Sequence, residues 1–252
     1  MALRYTGGSS NKTDFGTAAS LNSQTAHTTM MWFYANAAGT PTRLWLEKGA
    51  YPSRNPNIIF GYNNMFLGFV VDRATTDSDA SVTLTQGWYF GAFTYDETDG
   101  ARIFLGTVRQ DVKEAGGDYV RNVGAGASVD TSAANFLVGG SVAGSNSVDG
   151  SVAFISYYGR RMELAEIVSH QYNPRVGPGC VLFSWLGSNG AGLQRDLSGR
   201  GNHGLNTGAS AVSNGPLIFP FPRPNLYKNL RLLPKIGKAS QLNQAVNRSN
   251  TY

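Results

Sequence analysis

Acidic residues stop at Asp196. The 56 residues that follow carry seven Lys and Arg and no Asp or Glu, while residues 1–196 are near neutral. Cysteine is almost missing: Cys180 stands alone, which excludes an intrachain disulfide, a thiolate zinc site and a redox pair. Charged residues make up only 15% of the chain, against about 25% in an average soluble domain. The Ala, Glu, Lys, Leu and Arg periodicity of helical bundles and coiled coils is also missing, so those classes are excluded. No apolar run approaches the roughly 18 residues of a membrane span. The first ten residues hold one Arg and no apolar stretch. That reads as neither a secretory signal nor a transit peptide, and a protein made in a cytosol is expected.

What is abundant is turn chemistry. The 252 residues include 31 Gly, and turn signals recur at Gly7-Gly8, Asn63-Asn64, Asp99-Gly100, Gly116-Gly117, Gly139-Gly140, Asp149-Gly150 and Asn189-Gly190. Between them lie short β-rich runs: Thr28 to Ala35, Thr42 to Lys48, Asn57 to Tyr62, Phe66 to Asp72, Trp88 to Tyr95, Ala101 to Thr107, Phe136 to Gly139, Ser151 to Tyr158 and Val181 to Leu186. The spacing predicts an all-β antiparallel sandwich over residues 1–216. The run Trp88 to Tyr95 carries aromatics on both faces, as a central strand does. One face would meet the second sheet, and the other would form an aromatic-lined surface or be covered. Arg161 to Tyr172 reads as the one helix, stopped by Pro174, with Glu166 and His170 at i,i+4 on its surface. From residue 217 onward repeated prolines break any ladder, and the basic segment 217–252 reads as an extended arm. Its apolar and basic anchors, Phe219, Phe221, Arg223, Leu226, Tyr227, Lys228, Leu230, Arg231, Leu233 and Lys235, suit docking on an acidic protein surface.

Three segments together resemble the laminin-G-like, concanavalin A-like jelly roll. Trp88 to Asp96, a turn at Thr98-Asp99-Gly100 and Ala101 to Gly106 look like its central hairpin. Val148 to Ile167 looks like its closing strand and single short helix. Asp196-Leu197-Ser198-Gly199-Arg200-Gly201-Asn202-His203-Gly204 resembles the loop that opens the domain in many relatives and closes it here. That rotated order is similar to tailed-phage virion proteins of this fold. A sandwich whose ends lie on adjacent strands tolerates such permutation, so Leu3 to Gly7 and Gly204 to Gly208 are expected to be neighbours in one sheet.

Catalysis finds little support in the residues. A glycosidase needs paired carboxylates flanking the scissile bond, and none of Glu47, Glu97, Glu114, Glu163 and Glu166 shares a strand with a second acid at an alternate position. Glu163 and Glu166 read as a solvated helix face. No Gly-x-Ser-x-Gly or His-Glu-x-x-His occurs, His27, His170 and His203 lack an acid partner beside a turn-mounted Ser, and Gly124-Ala125-Gly126-Ala127 is not a phosphate loop. A non-enzyme is expected. Calcium is the cofactor the resemblance implies, with Asp72, Asp77, Asp79, Asp96 and Asp99 as its only candidates. Their spacing fits turn-capping better, and no metal is assigned. Asp196 is expected to bond the amides of Ser198 and Gly199, with Gly199, Gly201 and Gly204 at positive φ. A glycan platform would use Trp45, Tyr51, Tyr62, Asn63 and Asn64. The charge of the tail is not interleaved with stacking aromatics, so nucleic acid is not favoured as a partner.

The expectation is therefore a structural virion protein, a head decoration (cement) protein held by its arm to capsid or other virion subunits as a homo-oligomer. The alternative is a glycan-binding adhesion module on the phage tail or head that meets a host surface glycan. Neither involves a membrane.

Overall fold

The computed structural model describes residues 1–7, 11–22, 24–36, 43–49, 54–61, 66–141, 148–213 and 215–216. In chain order the strands are β1 (Ala2–Thr6), β2 (Lys12–Asp14), β3 (Ala26–Ala35), β4 (Arg43–Lys48), β5 (Asn57–Gly61), β6 (Phe66–Val71), β7 (Ser78–Thr83), β8 (Gly87–Asp96) and β9 (Arg102–Gly106). They continue with β10 (Lys113–Glu114), β11 (Val120–Asn122), β12 (Phe136–Val138), β13 (Asp149–Tyr158), β14 (Cys180–Trp185), β15 (Leu193–Gln194), β16 (Gly204–Thr207) and β17 (Ser210–Val212). One α-helix among the described residues, α1 (Leu164–Tyr172), lies between β13 and β14. The first sheet runs β10-β9-β8-β3-β13-β1-β17 with β14 also on β13, and the second runs β11-β7-β6-β5-β4-β12-β2-β16-β15. Every pairing is antiparallel, so the described residues form an all-β sandwich with one short helix.

Alternation along β8 and β3 shows how the sheets are used. Phe93, Tyr95 and Phe33 point inward to a core shared with Phe69, Phe136, Tyr157 and Trp45, all of them fully buried. Position 91, on this inward face, is glycine because a Cβ there would lie 2.8 Å from the Phe33 ring and 2.9 Å from that of Phe93. Phe90, Ala92, Met30, Trp32, Phe154 and Phe183 point the other way and form a second buried cluster on the outer side of the same sheet. Met162 and Ile167, from the chain around α1, close over it.

The helix begins later than its sequence suggests. Met162 N–H is taken by the Thr28 hydroxyl at 2.9 Å and Arg161 reaches Asp96 at 2.7 Å, so neither enters the first turn. The Glu163 amide instead donates to the Glu166 carboxylate at 3.2 Å across that turn.

The permutation seam differs from expectation. β1 and β16 lie in different sheets. β1 pairs with β17 in one (Ala2 opposite Val212, Arg4 opposite Ser210), and β2 pairs with β16 in the other (Thr13 opposite Asn206). Two N-terminal strands thus meet two C-terminal strands, one pair per sheet. The chain passes from one sheet to the other between β1 and β2 and again between β16 and β17, which divides the seam between both layers.

Candidate functional site

The outer face of the first sheet is only partly covered. At its covered end, Trp32 Nε1 donates to the carbonyl of Gln171 at 3.3 Å. The Gln171 side chain then binds the loop beside it: its oxygen accepts from Val112 N–H at 2.7 Å and its amide donates to the Thr107 and Gln110 carbonyls at 2.8 Å each. Expected on the helix surface, His170 is instead buried against the Tyr158 ring at 5.6 Å, and desolvation lowers its pKa to about 4. Glu163 and Glu166 are structural: the Arg160 guanidinium grips Glu166 at 2.6 Å and holds its carboxyl down at about 2.

One residue pair further along β3 and β8, aromatic side chains remain half-buried. Tyr34 lies opposite Trp88 on one side and Ser151 on the other, and Ser151 lies opposite Arg4. The register therefore draws a row Trp88, Tyr34, Ser151, Arg4 and Ser210 across five strands, roughly 19 Å at about 4.8 Å per strand. The Tyr34 and Trp88 rings meet edge to face at 5.6 Å and 61°. Gln86, exposed, donates to the Tyr34 hydroxyl at 2.8 Å. At the other end Asn36 donates to one oxygen of Asp149 at 3.1 Å, and Arg4 holds the second at 2.5 Å. The Arg4 and Asp149 side chains keep 30% and 24% of their exposure. An aromatic end and an amide–carboxylate–guanidinium end thus lie on one face of the sheet, with Ser151 buried between them and Ser210 exposed beyond Arg4. Together the two ends can stack flat apolar faces and exchange hydrogen bonds with hydroxyls. Asp149, ion-paired and without a second carboxylate beside it in the row, is not placed for acid–base work on a glycosidic bond.

Of the platform expected from sequence, only Trp45 is among the described residues. Trp45 is fully buried, with its ring 5.1 Å from Phe33 and pressed against the Cα of Gly150, so core packing removes it from any ligand surface. Tyr51, Tyr62, Asn63 and Asn64 lie outside the described residues, as do all ten arm anchors from Phe219 to Lys235. Of the row, only Trp88 carried a sequence signal, through the two-faced run that contains it. Tyr34 alternates with Trp32 and was visible in principle. Arg4 and Asp149 come from strands far apart in the chain.

The aspartates considered for calcium are engaged with the protein itself. Buried Asp72 accepts from Arg54 Nη2 at 2.8 Å and from its backbone N–H at 2.8 Å. Asp96 caps its turn by accepting from the Thr98 and Asp99 amides at 2.8 and 2.6 Å, and Arg161 bridges Asp96 and Asp99. Asp79 takes the Asn122 amide at 3.4 Å, and Asp77 accepts the Arg73 amide at 3.3 Å. Among the described residues no three of His, Cys, Asp and Glu converge on a point that could hold a metal ion.

The loop at Asp196 is a structural clasp, with two changes from expectation: one of its amide partners, and Gly204, which is not at positive φ. Its carboxylate accepts from Ser198 N–H at 2.8 Å, but its other amides are those of Phe183 at 3.1 Å and Asn202 at 2.9 Å rather than Gly199. Gly199 and Gly201 have φ of +84° and +75° as the tight turn requires. Gly204 is in strand β16, and it is glycine because a Cβ would lie 2.6 Å from the Phe15 ring.

No family model matches the chain, and no curated protein matches it. Among solved structures the fold is similar to that of a Bacteroides ovatus ATCC 8483 protein provisionally named a carbohydrate-binding protein. The identity is 14% and the TM-score 0.60, over 86% of this chain and 61% of that one. A SAP-like pentraxin from Limulus polyphemus matches at 12% identity and TM-score 0.46, over 67% of this chain and 80% of that one. Domains LG4-5 of the mouse laminin alpha1 chain match at 12% identity and TM-score 0.42, over 65% of this chain and 43% of that one. At these identities the likeness is one of fold: an antiparallel sandwich of the jelly-roll kind. The chain spans about three fifths of the length of the Bacteroides protein.

Proposed function

We propose that this protein is a non-catalytic glycan-binding sandwich, and that the row from Trp88 and Tyr34 to Asp149 and Arg4 is its carbohydrate surface. The observation that carries this is the placing of two half-buried aromatic rings and a partly exposed amide, carboxylate and guanidinium on one face of the same sheet, at either side of buried Ser151. Sugar rings offer apolar C–H faces for aromatic stacking, and their hydroxyls match the donors and acceptors of Gln86, Asn36, Asp149 and Arg4. The row's length suits an extended oligosaccharide lying across the strands. The similarity to a fold provisionally named for carbohydrate binding supports the same reading.

A glycan array probed with the intact chain is expected to give a restricted set of oligosaccharide ligands. Trp88→Ala and Gln86→Ala should each weaken the best of them by about tenfold, a loss of about 1.4 kcal/mol. The Gln86 change is at an exposed side chain, so folding is not in question. No ligand on the array, or equal binding by both variants, overturns the assignment.

The tail supports a second reading. Residues 217–252 contain six basic residues and no acid, together with the apolar anchors named above. A docking arm for a larger assembly with an acidic surface, such as a phage head bearing this sandwich as a decoration, fits that composition. A chain ending at Gly215 is then expected to fold with an unchanged Tm but to lose attachment to particles stripped of this protein. Attachment equal to that of the intact chain refutes the arm.

A further inference from the structure

At the opposite end of β8 from the Asp96 turn, the two sheets part to leave a cleft of about 240 Å³. Its floor is apolar. Val82 and Leu84, both 5% exposed, come from the second sheet, and half-buried Tyr89, Leu105 and Ala115 come from the first, all packed on the main core. Tyr89 is held in place: its ring stacks on Phe33 at 5.9 Å and 25°, and its hydroxyl accepts from Thr85 N–H at 3.2 Å.

The charged residues around this cleft differ in their partners. Lys113 lies opposite Leu105, on the cleft face, while Glu114, which also borders the cleft, lies opposite Phe104 and has its carboxylate 3.6 Å from Arg102. Asp118 turns both oxygens to Thr83, one to the amide at 3.1 Å and the other to the hydroxyl. Among the described residues Lys113 has no ion-pair partner. The cleft is thus an apolar slot bordered by Lys113, a cation without an ion-pair partner, and by Gln110.

From this geometry we infer that the cleft is a second ligand site, distinct from the glycan strip, for a small amphipathic carboxylate whose apolar part covers the Leu105 and Tyr89 floor and whose carboxylate pairs with Lys113. A 240 Å³ space equals about eight waters of liquid volume, at the small end for ligand pockets, so the ligand has on the order of ten heavy atoms. A neutral chain would leave the lysine unused, and a cationic one would be repelled by it.

Octanoate is the probe. Titrated into the full chain by calorimetry it is expected to bind saturably at one site, with 1-octanol weaker and octylammonium showing no saturable binding. Lys113→Glu, at an exposed position, should weaken octanoate by at least about tenfold. Ala115→Phe, which fills the slot, should abolish binding. Trp88→Ala should leave octanoate binding intact, so this site and the glycan strip fail separately. No saturable octanoate binding by the folded wild-type chain, or equal binding by Lys113→Glu, overturns the inference.

Discussion

His27 Nε2 lies 3.1 Å from the side-chain oxygen of Asn55, and the rings of Phe69, Tyr95 and Tyr157 enclose the imidazole at 5.9, 5.3 and 5.6 Å. Asn55 offers an acceptor, so Nε2 carries the proton and the ring is neutral. Desolvation dominates and lowers the pKa to about 3, the Asn55 bond raising it only in part. The folded state therefore binds fewer protons than the unfolded chain between pH about 6.5 and 3. The stability present above pH 6.5 drains away as pH falls through that window. Buried His170 acts in the same direction down to about 4. Urea unfolding at pH 7 and pH 4 is expected to differ by about 3 kcal/mol or more, at about 1.4 kcal/mol per pH unit for His27 alone. His27→Phe should flatten the dependence, and an unchanged slope would remove His27 from the account.

The divided seam makes the first sixteen residues indispensable to both sheets. Without them β13 and β17 in one layer, and β12 and β16 in the other, lose a partner at once. A chain lacking residues 1–16 is expected to lose cooperative thermal unfolding. A single sharp transition at the wild-type Tm would contradict this.

Asp196 satisfies three backbone amides from two elements at a nearly buried position. Asp196→Ala leaves those donors without an acceptor and is expected to cost about 3–5 kcal/mol of unfolding free energy, with Asp196→Asn costing less because one acceptor oxygen remains. Equal stabilities by urea denaturation would show that water replaces the carboxylate.

Gly139 has φ +81° with the Tyr5 ring packed against its Cα. Gly139→Ala adds both a strained backbone and an overlap with a fully buried ring, and should lower stability by about 2–4 kcal/mol. A Tm within a degree or so of wild type would show that Tyr5 moves freely.

Because Arg54 and Arg161 already neutralise the aspartates nearest each other, calcium is expected to leave the Tm where it is. A native-state site would raise it by mass action. A rise with calcium that EDTA reverses would point to Asp72, Asp96 and their neighbours after all.

Local chemistry was enough to read the sandwich class, because period-two runs closed by Gly, Asn and Asp turns have few other solutions. All nine strands anticipated between Thr28 and Leu186 are present to within two residues at each end. The strands β2, β7, β10, β11, β15 and β17 were not legible, since runs such as Lys113–Glu114 and Ser210–Val212 are held by their neighbours' ladders rather than by their own propensity.

The site was less readable still. Trp45 and Trp88 look alike in sequence, yet one is locked in the core and the other stands half-open, because alternation assigns a residue to a face while only packing decides whether that face is covered. On β8 the decision belongs to α1 and the loop that Gln171 binds, which reach Trp32 and Phe90 but stop before Tyr34 and Trp88. The neighbours Arg4, Tyr34, Trp88 and Asp149 were set by strand register between segments up to more than a hundred residues apart. Register is a collective property of the ladders and the core beneath them, and no single segment contains it.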